Sequence, residues 1–181
     1  MYALGMVESI SIPLGIEAGD AMLKASEVQL AMAQVVCAGK YIVCVSGDVA
    51  AVRHSVEAGK TVASNCLVDS FVIPNVHEKV IYAIGAASQV EDVAAIGIME
   101  TFSLSAAVQV ADVAVKAADV DLIEVRLGRG MGGKSFVLLT GEVAAVRSSL
   151  AAAEAIEEVA GMLARSVVIP SPHPDLIQAL M

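Results

Sequence analysis

Residues 3–9 read Ala-Leu-Gly-Met-Val-Glu-Ser, and residues 95–101 repeat this stretch as Ala-Ile-Gly-Ile-Met-Glu-Thr. The two copies are 92 residues apart, counted from Gly5 to Gly97. The same offset relates Asp20 to Asp112 further along the chain. Self-similarity at a fixed distance indicates a duplicated structural unit. We therefore predict that the chain contains two copies of one fold.

The match between the repeats continues with two changes of offset. Residues 47–53 read Gly-Asp-Val-Ala-Ala-Val-Arg and match residues 141–147 at an offset of 94, and residues 70–74 match residues 166–170 at 96. Insertions normally lie in loops, so each slip of two residues predicts a longer loop in the second repeat. The predicted domains are residues 1–90 and 93–181, joined near the polar stretch Ser88–Asp92.

The apolar pattern of each repeat predicts strand, helix, strand, strand, helix, strand and short helix. Residues 2–10 form an apolar run typical of a buried strand, and Leu14, Ala18 and Met22 follow at helical spacing. Asp48 stands at a predicted helix N-cap. This order predicts an α+β fold in which helices cover an antiparallel sheet, and it does not favour a Rossmann fold.

Composition limits the classes of function. The longest stretch without a charged residue is Val28 to Gly39, well short of the roughly 20 apolar residues of a membrane span. The beginning of the chain lacks the pattern of a signal peptide, so we expect a cytoplasmic protein. A net charge of −9 argues against a nucleic-acid partner. The high apolar content, 57%, favours a subunit that buries much of its surface against copies of itself.

Four strings together resemble the shell domain of bacterial microcompartments, and both repeats carry the pattern over nearly the whole chain. The strings are Ala-Leu-Gly-Met-Val-Glu (3–8), Gly-Asp-Ala-Met-Leu-Lys-Ala (19–25), Gly-Asp-Val-Ala-Ala-Val (47–52) and Val-Ile-Pro-x-x-His (72–77 and 168–173). The resemblance implies two tandem shell domains, each a ferredoxin-like antiparallel sheet flanked by helices. It also implies a location in the microcompartment shell in the cytoplasm.

The resemblance further implies a flat tile. Tandem members of the family form homotrimers that mimic hexamers, with a pore on the three-fold axis. Lys24 and Lys116 match the edge lysine through which tiles contact other shell proteins. The implied function is structural, and we predict no enzymatic activity, since no residue set resembles an acid–base pair or a nucleophilic triad.

The pore loop of the family lies between the second and third strands. In the first repeat this is Val36, Cys37, Ala38 and Gly39, and in the second it is the longer, glycine-rich stretch 127–133. The segment Val-Cys-Ala-Gly-Lys (36–40) is similar to tandem shell proteins of the propanediol-utilisation type, whose pore-loop Cys binds an iron–sulfur cluster. This similarity implies that Cys37 is the metal ligand, with one [4Fe–4S] cluster for each trimer.

Three-fold symmetry makes a single Cys sufficient for such a site. A residue near a three-fold axis occurs three times around it, and iron in a four-iron cluster prefers one thiolate for each iron. Three Cys37 thiolates could then hold a cluster that transfers electrons across the shell, with encapsulated redox enzymes as partners. Two alternatives stay open: three thiols lining a metabolite pore in a purely structural tile, or a Cys37 side chain turned into the packing.

Other candidate sites receive less support from the sequence. Cys44 and Cys66 are predicted to pack in the core. Residues 128–135 match the pattern of a phosphate-binding P-loop, Gly-x-x-x-x-Gly-Lys-Ser, which would favour a nucleotide-binding enzyme. However, a P-loop connects a strand to a helix, and the repeat comparison predicts that this stretch joins two strands.

Overall fold

The computed structural model describes residues 2–90 and 92–181. The chain divides into two compact units: Met1–Ile81 with Gly128–Gly133, and Tyr82–Leu127 with Lys134–Met181. The domain boundaries drawn from the sequence, 1–90 and 93–181, stay a prediction. The predicted junction Ser88–Asp92 includes Glu91, which lies outside the described residues.

Within residues 2–84, the first repeat contains four strands and three helices in the predicted order, and its last helix continues past Ile81, where the first unit ends. A short 3-10 turn, Ser64–Cys66, precedes the fourth strand. The elements are β1 (Ala3–Ser9), α1 (Ile12–Ala25), β2 (Gln29–Val36), β3 (Lys40–Gly47), α2 (Val49–Ala63), β4 (Leu67–Ile73) and α3 (Glu78–Ile84).

The sheet of the first unit is antiparallel with the strand order β2-β3-β1-β4. Strand β1 is central, and all seven of its residues are buried. Helices α1 and α2 pack on one face of the sheet, where Val7, Met22 and Val52 belong to a single hydrophobic cluster. Gly5 lies under α2, because a Cβ atom placed there would be only 2.5 Å from Val56 Cγ2.

Local sequence signals account for where the helices of this unit begin. The Ser11 side chain accepts a hydrogen bond from the Leu14 N–H at the start of α1. Asp48 is the N-cap of α2 and accepts from the Ala50 N–H at 2.9 Å, which confirms the predicted cap. Such caps satisfy backbone donors that have no partner inside the helix.

The second unit has the same order of elements and the same topology, with the strand order β6-β7-β5-β8. Gly97 in β5 repeats the close approach of Gly5, here against Leu139, Val146 and Leu150. The elements are β5 (Ala95–Thr101), α4 (Leu104–Ala117), β6 (Asp121–Leu127), β7 (Ser135–Gly141), α5 (Val143–Glu154), β8 (Leu163–Ile169) and α6 (Pro174–Leu180).

The predicted fold class is confirmed, and both changes of offset lie in connections as expected. The first falls between the second and third strands of each repeat, and the second falls between a helix and the following strand. Within the described residues, no helix is long and apolar enough to cross a membrane.

Candidate functional site

Cys37 lies at the tip of a tight turn between β2 and β3. Val36 and Lys40 are the last paired residues of the two strands, so only Cys37, Ala38 and Gly39 form the connection. Val36 is buried, whereas Ala38 and Gly39 are exposed and Cys37 is partly exposed. Gly39 has a φ of +74°, a left-handed conformation that favours glycine. The turn therefore places the thiol at the surface of the first unit.

A second loop, residues 128–133, meets this turn and belongs to the same compact unit. The Cys37 N–H donates to the Gly128 carbonyl at 2.8 Å, and the Gly130 N–H donates to Cys37 Sγ at 3.2 Å. The loop can turn its amide groups in this way because Gly130, with a φ of +77°, adopts a backbone conformation that other residues rarely take. We call residues 128–133 the glycine loop.

The glycine loop changes the acidity of the Cys37 thiol. Backbone hydrogen bonds from Gly130, and then from Gly132 and Met131, lower the pKa of Cys37 below its ordinary value, and partial burial opposes this effect. N–H groups stabilise the thiolate because they direct positive ends of dipoles at the sulfur. The thiolate is the form of Cys that acts as a nucleophile and as a metal ligand.

The other two cysteines differ from Cys37 and from each other. Cys44 is fully buried in β3, and burial raises the pKa of its thiol to about 12, which confirms the predicted core role. The prediction for Cys66 was wrong, because it is partly exposed in the 3-10 turn before β4. The physical reason is that Cys66 precedes β4, which is an edge strand of the sheet and contains no buried residue.

These environments predict selective modification of Cys37. At neutral pH, iodoacetamide should alkylate Cys37 and leave Cys44 unmodified in the folded protein. Since the pKa of Cys37 is lowered, its reaction rate should reach half of its maximum at a lower pH than that of a free thiol such as N-acetylcysteine measured under the same conditions. Peptide mass spectrometry after alkylation at several pH values measures the extent of modification of each cysteine. Equal labelling of Cys37 and Cys44 in the native state would contradict the prediction.

One chain by itself does not form a metal centre in the part that the structure describes. Among residues 2–90 and 92–181, no group of three or more His, Cys, Asp or Glu side chains is placed to hold a metal ion. The donor chemistry at Cys37 nevertheless fits iron, because iron–sulfur clusters are bound by thiolates. A site built on Cys37 therefore requires more than one copy of the chain.

The two candidate edge lysines occupy equivalent positions in the last turns of α1 and α4. Lys24 pairs with Asp20 one helical turn earlier at 2.6 Å, and 74% of its side chain is exposed. Lys116 pairs with Asp112 in the same way and is 38% exposed. The exposed Lys24–Asp20 pair contributes little to stability, whereas the Asp112 side chain is only 10% exposed. Contact with neighbouring shell proteins through these lysines stays a prediction.

The structure excludes a P-loop at residues 128–135. This stretch connects strand β6 to strand β7, whereas a phosphate-binding P-loop leads from a strand into a helix whose N-terminus faces the phosphates. The glycines instead serve the contact with Cys37. The glycines are visible in the sequence, but their contact with Cys37 was not predicted from it.

The sequence pattern of the BMC domain matches residues 3–76 and again residues 95–172. The chain belongs to the BMC domain family. This tandem BMC protein is 40% identical over 174 residues to the bacterial microcompartment shell protein PduT of Citrobacter freundii, covering 96% of this chain and 95% of PduT. The resemblance inferred from the sequence is thereby confirmed.

Further comparisons agree with the tandem architecture. The carboxysome shell protein CcmK2 of Synechococcus elongatus is 37% identical over 86 residues, covering 45% of this tandem BMC protein and 84% of CcmK2. A crystal structure of a microcompartment protein from Desulfitobacterium hafniense superimposes with a TM-score of 0.95 at 53% identity, covering 98% of this chain and 99% of that one. The tandem BMC protein is a structural component of a microcompartment shell.

Proposed function

We propose that this shell protein forms a trimer whose central pore carries one [4Fe–4S] cluster, bound by Cys37 of three subunits, for electron transfer across the shell. The observation that carries the proposal is the partly exposed Cys37 thiol, held at the tip of a turn by a backbone N–H that favours its thiolate form. The similarity to the shell protein PduT over 96% of the chain supports the role in a microcompartment shell.

The proposal assigns a defined role to each part of the turn. Cys37 is the ligand, and three copies supply three thiolates for the four irons. Val36, which is buried, anchors the end of β2, while Ala38 carries only a methyl group and Gly39 no side chain, so both would leave room at the proposed axis. When bound, the cluster would supply one-electron transfer. Its fourth iron would remain available to water or a small molecule.

The proposed partners follow from this role. The trimer would contact other shell proteins along edges that contain Lys24 and Lys116. The cluster would exchange electrons with redox proteins on the two sides of the shell, including encapsulated redox enzymes.

The test is anaerobic reconstitution of the purified protein with ferrous iron and sulfide. Wild-type protein should develop a broad absorption near about 400 nm, typical of thiolate-bound clusters, with four irons for each three chains. Cys37→Ser should lose at least about nine tenths of this absorption, since a hydroxyl is a poor ligand for cluster iron. Cys66→Ser is the matched control and should reconstitute like the wild type.

Two outcomes would contradict the proposal. Equal absorption from wild type and Cys37→Ser would place the iron elsewhere. A protein that assembles into trimers, measured by analytical ultracentrifugation, but holds no iron after anaerobic handling would instead be a purely structural tile with a metabolite pore.

A further inference from the structure

The glycine loop holds Cys37 at two points that flank one charged residue. Gly128 accepts from the Cys37 N–H at 2.8 Å, and Gly130 donates to Cys37 Sγ at 3.2 Å. Arg129 lies between these two contacts and is exposed. Because both of its neighbours are hydrogen-bonded to Cys37, the loop keeps the backbone of Arg129 beside the Cys37 turn, in a chain whose net charge is −9.

We propose that the glycine loop positions the Cys37 ligand and sets the reduction potential of the cluster, through the Gly130 N–H and the charge of Arg129. This inference rests on the proposed function, because it needs a cluster at Cys37. In this role the glycine loop, which belongs to the second repeat in sequence, acts on Cys37, which belongs to the first repeat. Gly130 and Arg129 are positioning residues in this role.

The physical basis is the change in charge on reduction. A cluster held by Cys37 would take up one electron from a reduced carrier protein on one side of the shell and give it to an oxidised carrier on the other, without forming or breaking a covalent bond. The added negative charge spreads over the cluster and its thiolate sulfurs. An N–H donor to a ligand sulfur and a nearby cation both stabilise the reduced form more than the oxidised form, so both raise the potential.

Symmetry multiplies these effects. In a trimer the cluster would receive three Gly130 N–H contacts and three Arg129 charges. The turn of the first repeat cannot replace them, since it contains only Cys37, Ala38 and Gly39 between its strands. The longer loop of the second repeat therefore has a function that the shorter turn lacks.

Redox titration of the reconstituted trimer, followed by electron paramagnetic resonance, tests the inference. Arg129→Gln should shift the one-electron equilibrium toward the oxidised cluster by about fivefold or more, which is about 40 mV lower in potential at 59 mV per tenfold. Gly130→Pro should shift it in the same direction by at least as much, because proline has no N–H and cannot adopt the φ of +77°, so the loop contact with Cys37 is lost. Arg53→Gln is the matched control, because it removes the same charge from an exposed position on α2. Potentials that all equal that of the wild type would overturn the inference.

A second measurement needs no cluster. In the metal-free protein, the amide hydrogen of Gly130 should exchange with solvent at least about tenfold more slowly in wild type than in Cys37→Ala, since only the wild type offers the sulfur acceptor. NMR exchange spectroscopy measures this rate, and equal rates would overturn the positioning role. If the wild type binds no cluster but its Gly130 amide is protected, the proposed function and the effect on the potential both fail while the positioning of Cys37 stands.

Discussion

Replacing Lys40 with Met should lower the free energy of unfolding by about 3–5 kcal/mol, the range expected when one partner of a buried ion pair is removed. Lys40 forms an ion pair with Glu8, whose side chain is only 4% exposed. Met keeps most of the volume of Lys but removes the charge, so the Glu8 carboxylate would stay buried without its counter-ion. Urea denaturation followed by circular dichroism, at matched protein concentration, measures the loss.

The chain contains its own control for this prediction. Lys134 and Glu100 form the equivalent pair in the second repeat, at 3.0 Å, but their side chains are 42% and 39% exposed. Exposed pairs contribute about 1 kcal/mol or less, so Lys134→Met should cost no more than that. An equally large loss of stability in both variants would contradict the explanation that burial of Glu8 makes the Lys40 pair the more important one.

Lys40 also matters for the site, because it is the first residue after the Cys37 turn and pairs with Val36 across the strands. The charged pair with Glu8 ties this end of β3 to the central strand β1. We therefore expect Lys40→Met to weaken the proposed binding of a cluster at Cys37 as well as stability.

Gly5→Val should destabilise the protein by about 3 kcal/mol, the upper end of the usual cost of overpacking a core. A Cβ atom at Gly5 would lie 2.5 Å from Val56 Cγ2 and 2.7 Å from Val52 Cγ1. Both neighbours are β-branched residues of α2 with stiff side chains, so relief requires the helix to move away from the sheet. Thermal unfolding measured by circular dichroism should show a lower Tm.

Two further variants test this cause. Gly97→Val should have a similar effect, because its Cβ atom would lie 2.7–2.9 Å from three side chains of the second unit. Gly161→Val should change stability by less than about 0.5 kcal/mol, since nothing lies within 4 Å of the added atom. A loss at Gly161 as large as that at Gly5 would contradict overpacking as the cause, because a Cβ atom at Gly161 meets no neighbour.

Much of the fold could be predicted from the sequence because its determinants are local or repeated. The period of the apolar residues gives the helices and strands, Asp48 marks the start of α2, and the two copies of the β1 motif give the duplication. Such signals depend on residues that are close in the chain. Because the chain contains two repeats, each signal occurs twice and can be compared between the copies. The failure at Cys66 shows the limit: the apolar pattern predicts the strand that follows Cys66 but does not show that this strand lies at the edge of the sheet, where none of its residues is buried.

The sequence by itself thus determined a duplicated α+β fold, the family and the candidate Cys37, because repeated motifs and periodic apolar residues are visible in the order of residues. Only the tertiary structure decided what surrounds Cys37. Gly130 is 93 residues from Cys37 in the chain, and neither periodicity nor repeat alignment relates the two positions. Their contact depends on the course of an irregular loop, whose backbone conformation at glycine is weakly constrained by sequence.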